Sequence, residues 1–76
     1  MERLPRITAV EVIKVLKRAG FFLVRQSGSH KIFKNKTGKR ITVPYHNHSG
    51  KTIHLKILHR ILMDADLSVE KFKELL

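Results

Sequence analysis

The chain has 76 residues, of which 42% are hydrophobic and 29% charged, and this composition and length suit a single folded domain over residues 1–76. It contains no cysteine, which excludes a disulfide framework and a zinc site with thiolate ligands. Its 16 basic and six acidic residues give a net charge of +10, which favours a polyanionic partner such as RNA over a small molecule.

The first predicted element is a helix over about residues 9–19. Pro5 disfavours helix in the extended segment before it. Thr8 and Glu11 have the spacing of a capping box, in which each side chain accepts a hydrogen bond from the backbone N–H of the other. Gly20 can adopt the left-handed conformation that ends a helix. The predicted apolar stripe of this helix consists of Val10, Val12, Ile13 and Leu16.

Three short segments rich in aromatic or β-branched residues follow, which is typical of strands. These strands are predicted at residues 21–26, 30–34 and 39–43. Ser27-Gly28-Ser29 and residues 35–38 have the composition of tight turns, and Pro44 ends the third strand. Because connections this short exclude a parallel crossover, the strands form an antiparallel meander.

A loop over residues 44–51 leads to two further predicted helices. Thr52 caps a helix over about residues 53–63, whose buried stripe contains Ile53, Ile57, Leu58, Ile61 and Leu62. Ser68 caps a short third helix that carries Val69, Phe72, Leu75 and Leu76. The predicted fold class is α+β, in the order α-β-β-β-α. Helices cover one face of a three-stranded antiparallel sheet, and an extra short helix follows at the C-terminus.

The basic residues are concentrated in the middle of the chain. Between Val12 and Met63 there is no acidic residue, whereas this stretch holds twelve lysines and arginines and all five histidines. RNA and an acidic protein would both be attracted to such a surface. No apolar run approaches the roughly 18–20 residues of a membrane span, so we expect a cytoplasmic protein without membrane contact.

His30, at the start of the second strand, has the side chain best suited to move protons near neutral pH. RNA can be cut without a metal when a base takes the 2′-hydroxyl proton, an acid protonates the leaving oxygen and cations stabilise the phosphorus centre. Gly28 and Ser29 would let the backbone approach a phosphate. From the residues alone, a tolerated polar residue at a strand edge is still the simpler interpretation of His30.

Several short motifs resemble the HicA family, small bacterial and archaeal toxins of type II toxin–antitoxin pairs. They lie within residues 8–72 and are Gly20-Phe21, Arg25, Gly28-Ser29-His30, Phe33, Val43-Pro44-Tyr45-His46 and Ile61-Leu62. The resemblance implies a fold like that of double-stranded-RNA-binding domains and an mRNA interferase activity that arrests growth. It also implies that His30 is the catalytic residue and that a HicB-type antitoxin covers it.

The same resemblance places the family's loop histidine on His46, where it would orient the substrate or act as a second proton-transfer group. Phe22 and Ile53-His54-Leu55 depart from the family pattern and would mark a surface that faces a partner. The residues that we expect to contact RNA are Arg25, Gly28, Ser29, Lys31, Lys34, Lys39, Arg40 and His46.

We expect neither a metal nor a small-molecule cofactor. His46 and His48 are two residues apart, but no carboxylate or thiolate lies near them to complete a metal site. Two other functions remain open. One is a non-enzymatic module that binds A-form RNA through phosphate and 2′-hydroxyl contacts. The other is an interaction protein whose basic face meets an acidic partner.

Overall fold

The computed structural model describes residues 6–45 and 52–76, which form three helices around a three-stranded sheet. The elements are α1 (Ala9–Arg18), β1 (Phe22–Ser27), β2 (His30–Lys34), β3 (Arg40–Pro44), α2 (Leu55–Ala65) and α3 (Val69–Leu75). This order confirms the predicted α-β-β-β-α arrangement with an extra C-terminal helix. Most of the predicted loop over residues 44–51 lies outside the described residues. None of the described helices has the length and apolar character needed to cross a membrane.

α1 begins at the predicted capping box. The Thr8 hydroxyl accepts a hydrogen bond from the Glu11 N–H at 3.3 Å, and a Glu11 carboxylate oxygen accepts one from the Thr8 N–H at 3.0 Å. The Thr8 N–H and the Thr8 hydroxyl both donate hydrogen bonds of 3.0 Å to the Glu11 carboxylate, and they hold the pKa of Glu11 below its ordinary value. The prediction that Val10 belongs to the buried stripe is wrong, because Val10 lies about 200° around the helix from the buried Val12. The buried residues of α1 are Ala9, Val12, Val15 and Leu16.

The sheet is an antiparallel meander in the order β1-β2-β3, as predicted. Gly28, with φ of +57°, stands first in the two-residue turn that joins the paired residues Ser27 and His30. A glycine at this position suits the type II′ turn of tight hairpins. β1 contains a bulge between Leu23 and Arg25, so Leu23 pairs with Phe33 whereas Arg25 pairs with Ile32.

The two faces of the sheet differ in what covers them. Phe33, Ile41 and Val43 are buried in one cluster with the apolar sides of all three helices. Because successive strand residues point to opposite faces, the other face, which we call the open face, carries the alternate residues of β2 and β3. These are His30, Ile32, Lys34, Arg40, Thr42 and Pro44.

α2 begins later than predicted. His54, not Thr52, is its N-cap, and the His54 Nδ1 accepts a hydrogen bond from the Lys56 N–H at 3.1 Å. Thr52 instead forms an isolated bridge with Thr8, so the Thr52 prediction is wrong. The buried stripe of α2 follows helical spacing and consists of Leu58, Ile61, Leu62 and Ala65.

Two further predictions about the C-terminal helices have different outcomes. Ile57 lies just beside the buried stripe and is 41% exposed, so its predicted burial is wrong. Ser68 caps α3 as predicted, because its hydroxyl accepts a hydrogen bond from the Lys71 N–H at 3.0 Å. Phe72 is fully buried and attaches α3 to the core.

Candidate functional site

His30 is exposed at the first position of β2, directly after the tight turn. Its backbone pairs with Ser27 on one side and with Pro44 on the other. The Tyr45 N–H donates a hydrogen bond to the Ser29 carbonyl, which extends the β2–β3 pairing beyond Pro44. Backbone pairing with both neighbouring strands therefore holds the turn that carries His30. The imidazole extends from a backbone that this pairing keeps in place.

A groove of about 400 Å³ lies beside His30, between the open face of the sheet and α2. Its residues on the sheet side are His30, Arg40, Thr42 and Pro44, and its residues on the α2 side are Ile57, Arg60, Ile61 and Asp64. The sheet residues come from one face of β2 and β3, and the α2 residues recur at steps of three and four along one side of the helix. We call this cavity the His30 groove.

The His30 groove combines one imidazole, two guanidinium groups and one carboxylate. The Arg40 and Arg60 guanidinium groups stay protonated in proteins and present planar arrays of donors that suit phosphate oxygens. The ion pairs among residues 6–45 and 52–76 are Lys39–Asp66 and Lys71–Glu74, so neither arginine nor Asp64 has an ion-pair partner within 4.0 Å. Both guanidinium groups are therefore available to an anionic ligand.

Several residues that the sequence predicts to contact RNA lie together around His30. Gly28 and Ser29 form the turn that precedes it. Arg25 pairs with Ile32 and so lies on the face of the sheet that carries His30. Lys34 and Arg40 pair with each other on that face, and Arg40 also lines the His30 groove. These residues form a cationic surface that continues from the groove across the sheet.

Lys31 and Lys39 lie apart from the His30 groove. Lys31 points to the opposite face of the sheet, where its Nζ lies 3.9 Å from the centroid of the Tyr45 ring. The Tyr45 ring packs against the core, so it is a packing residue on this face. The Lys39 ammonium is 3.4 Å from an Asp66 carboxylate oxygen. His46 lies outside the described residues.

Arg60 and Asp64 line the His30 groove although they are not among the site residues predicted from the sequence. Their spacing of four residues places them on one side of α2. That signal is present in the sequence, but the sequence does not show which face of the sheet this side of α2 meets. No group of three potential metal ligands occurs within residues 6–45 and 52–76. The histidine pair His46 and His48 lies outside them.

A family model described as the HicA toxin of bacterial toxin–antitoxin matches residues 9–67. The match begins at the first residue of α1, ends just after α2 and includes His30 and every residue of the His30 groove. No curated protein matches the chain. Toxins of this kind imply an antitoxin partner. On the extent of the family match, this chain belongs to the HicA toxin family of bacterial toxin–antitoxin systems.

Proposed function

We propose that this toxin is a metal-independent endoribonuclease that cleaves mRNA in the cytoplasm with His30 as a catalytic acid or base. Cleavage would inhibit translation and growth until a HicB-type antitoxin neutralises the toxin. One observation carries the proposal. An exposed histidine directly after a tight turn lines a groove that also presents two arginines, neither of which has an ion-pair partner among residues 6–45 and 52–76.

Because of the chemistry of RNA, a site with these groups contains the types of residue that cleavage requires. The 2′-hydroxyl of the substrate supplies the nucleophile, so the protein needs to move protons and to stabilise charge on the phosphorus. General acid–base catalysis by one positioned group contributes about 10²–10⁴-fold to the rate. Arg40 and Arg60 line the same groove as His30, and there they would bind the non-bridging phosphate oxygens.

The charge distribution supports a long polyanion as the substrate. Arg25, Lys34 and Arg40 lie on the face of the sheet that carries His30. A strand of RNA that enters the His30 groove would therefore meet further cations outside it. Binding through such contacts releases counterions and weakens steeply with added salt.

The antitoxin partner is supported by the family and by one exposed edge of the fold. β1 is an edge strand, and its apolar residues Phe22, Leu23 and Val24 are exposed. Phe22, which is 51% exposed, pairs with Lys34 and so lies on the face of the sheet that carries His30. An exposed apolar edge strand favours association with another chain. An antitoxin bound there would also be near enough to the His30 face to block it.

A non-enzymatic RNA-binding module is the second candidate function, because the same cationic face would bind RNA without any chemistry. The two functions differ in their need for the His30 imidazole. A binding module that blocks translation would remain toxic without it, whereas a ribonuclease would not.

Induced expression of the parent, His30→Ala and His59→Ala tests the proposal. His59 is an exposed histidine of α2 that does not line the His30 groove, so it is the matched control. We expect the parent and His59→Ala to arrest growth with broken transcripts, and His30→Ala to grow with intact transcripts. Co-expression of the antitoxin should restore growth of the parent. A His30→Ala protein as toxic as the parent, at equal amounts in the cell, would contradict the ribonuclease function.

A further inference from the structure

We propose that Asp64 is the second proton-transfer group of this site and acts as the general base opposite the general acid His30. The assignment rests on the proposed ribonuclease function, and it adds a residue from α2 to a chemistry for which the sequence offers His30 on β2 and, through the family resemblance, His46 in the following loop. Arg40 and Arg60 would hold the scissile phosphate between the two groups.

The placement of Asp64 supports this role. It is exposed in the last turn of α2, one turn after Arg60, and it lines the same groove as His30. It is the one carboxylate among the residues that line the described groove. Asp66, only two residues away, lies outside the groove and pairs with Lys39 at 3.4 Å.

The negative charge of Asp64 is unexpected in a groove whose other charged groups are arginines. The other charged and titratable groups that face it in the groove are His30, Arg40 and Arg60. A carboxylate repels a phosphate, so a site that served binding alone would be better with a neutral or basic residue at this position. A carboxylate that can accept a proton from a 2′-hydroxyl explains why an anion with no ion-pair partner in the described part of the chain lies in a cationic groove.

The groove has a suitable size for this reaction. Sites for small organic molecules have volumes of roughly 300–1,000 Å³, and the His30 groove, at about 400 Å³, falls within this range. It is large enough for the sugar and phosphate of one linkage. It is lined by His30 on the sheet side and by Asp64 on the α2 side, and a displacement at phosphorus needs an acid and a base on opposite sides of the reacting group.

The proposed step balances without an external reactant. The Asp64 carboxylate takes the proton of the 2′-hydroxyl, and the 2′ oxygen forms a bond to phosphorus. The bond from phosphorus to the 5′ oxygen breaks, and the protonated His30 imidazole gives its proton to that oxygen. The products are a 2′,3′-cyclic phosphate and a free 5′-hydroxyl, and exchange of protons with water restores Asp64 and His30.

A leaving-group substitution tests the assignment. The purified parent, Asp64→Asn, His30→Ala and Asp66→Asn are given an oligoribonucleotide that contains a linkage cleaved by the parent. A second oligoribonucleotide carries sulfur in place of the leaving 5′ oxygen at that linkage, and a thiolate leaves without a proton. Asp66→Asn is the matched control, since asparagine tolerates the left-handed conformation of residue 66, whose φ is 57°.

We expect the Asp64→Asn protein to cleave the normal linkage about 10²–10⁴-fold more slowly than the parent. Its cleavage of the sulfur linkage should be slow as well. His30→Ala should be slow on the normal linkage and fast on the sulfur linkage. Asp66→Asn should match the parent. Asp64→Asn should also bind RNA at least as tightly as the parent, because it loses a negative charge, and this separates a loss of chemistry from a loss of binding.

Three outcomes would overturn the assignment. If the parent cleaves and Asp64→Asn cleaves as fast as Asp66→Asn, the ribonuclease function stands and the role of Asp64 does not. If sulfur restores Asp64→Asn and not His30→Ala, the acid and the base are the reverse of those proposed. A parent that leaves both oligoribonucleotides and cellular mRNA intact contradicts the ribonuclease function itself, and the assignment with it.

Discussion

The Lys31 ammonium lies over the ring of Tyr45, 3.9 Å from its centroid, on the face of the sheet opposite to His30. A cation over an aromatic ring contributes about 0.5–1 kcal/mol at an exposed position. We therefore expect Lys31→Met to lower the free energy of unfolding by about this amount and to change RNA affinity little. Denaturant unfolding and RNA titration of the same protein would measure both effects.

Two variants serve as controls for this contact. Tyr45→Phe keeps the ring, so it should match the parent, whereas Tyr45→Ala should lose the contact and the packing of the ring against the core. Lys36→Met removes one exposed lysine in the β2–β3 connection and should leave stability unchanged. A Lys31→Met protein with parental stability and much weaker RNA binding would show instead that Lys31 binds RNA.

The arginines of the His30 groove should dominate the response of RNA binding to salt. We expect Arg40→Ala and Arg60→Ala each to weaken binding and to reduce the slope of log affinity against log salt by about 0.7, the value for one phosphate contact on a single strand. Lys14→Ala is the control, since Lys14 is exposed on α1, which packs on the other face of the sheet. Equal slopes for Arg60→Ala and Lys14→Ala would place the phosphates elsewhere.

The capping box of α1 predicts a dependence of stability on pH. Hydrogen bonds from Thr8 lower the pKa of Glu11 from 4.5 in the folded protein. A group with a lowered folded pKa stabilises the fold above its unfolded pKa and loses that contribution as the pH falls through the folded value. We expect Glu11→Gln to be less stable than the parent at neutral pH and the difference to shrink below about pH 4.5.

Thr8→Ala tests the same capping box by removing the side chain of the N-cap residue. Loss of an N-cap side chain costs about 0.5–2 kcal/mol of stability. Thr8→Ala should remove only the part of the Glu11 pH dependence that comes from the Thr8 hydroxyl, because residue 8 keeps the backbone N–H that lowers the Glu11 pKa most. Glu70→Gln, in the first turn of α3, is the control for the loss of a glutamate near a helix start. Loss of the whole pH dependence in Thr8→Ala would contradict this account of the Glu11 pKa, in which the backbone N–H of residue 8 has the largest effect.

Substitution of two phenylalanines should distinguish a residue of the core from a residue of the surface that binds the antitoxin. Phe72 is fully buried, so we expect Phe72→Ala to cost about 3–5 kcal/mol of unfolding free energy. Phe22 lies exposed on the edge strand, and Phe22→Ala should change stability by less than about 0.5 kcal/mol. Phe22→Ala should nevertheless weaken the complex with the antitoxin, which calorimetry can measure. An unchanged affinity would exclude Phe22 from that interface.

The backbone of the site could be predicted because its signals are local. Thr8 and Glu11 are three residues apart, and Gly28 marks a turn between two short strands. Such features depend on hydrogen bonds between neighbours in the chain. The sequence therefore predicts α1, the meander and the position of His30 at a strand start, with boundaries that differ from the structure by one residue or none.

The composition of the groove could not be predicted in the same way, because it depends on contacts between residues distant in the chain. Thr52 has the residue type of an N-cap, but it pairs with Thr8, and the start of α2 moves to Leu55. Ile57 has the hydrophobicity of a core residue, but it lies at the side of the stripe that meets the open face of the sheet. The docking of α2 beside β3 places Arg60 and Asp64 along the His30 groove.

The proposed function requires the His30 imidazole to move a proton as a phosphodiester bond of the substrate breaks. The most direct measurement is the rate at which the purified parent and His30→Ala cleave mRNA in the presence of EDTA, with RNA binding measured in parallel. We expect cleavage by the parent with 2′,3′-cyclic phosphate ends, and no cleavage by His30→Ala at unchanged RNA affinity. Cleavage by His30→Ala at the parental rate, or loss of parental cleavage in EDTA, would contradict the proposed function.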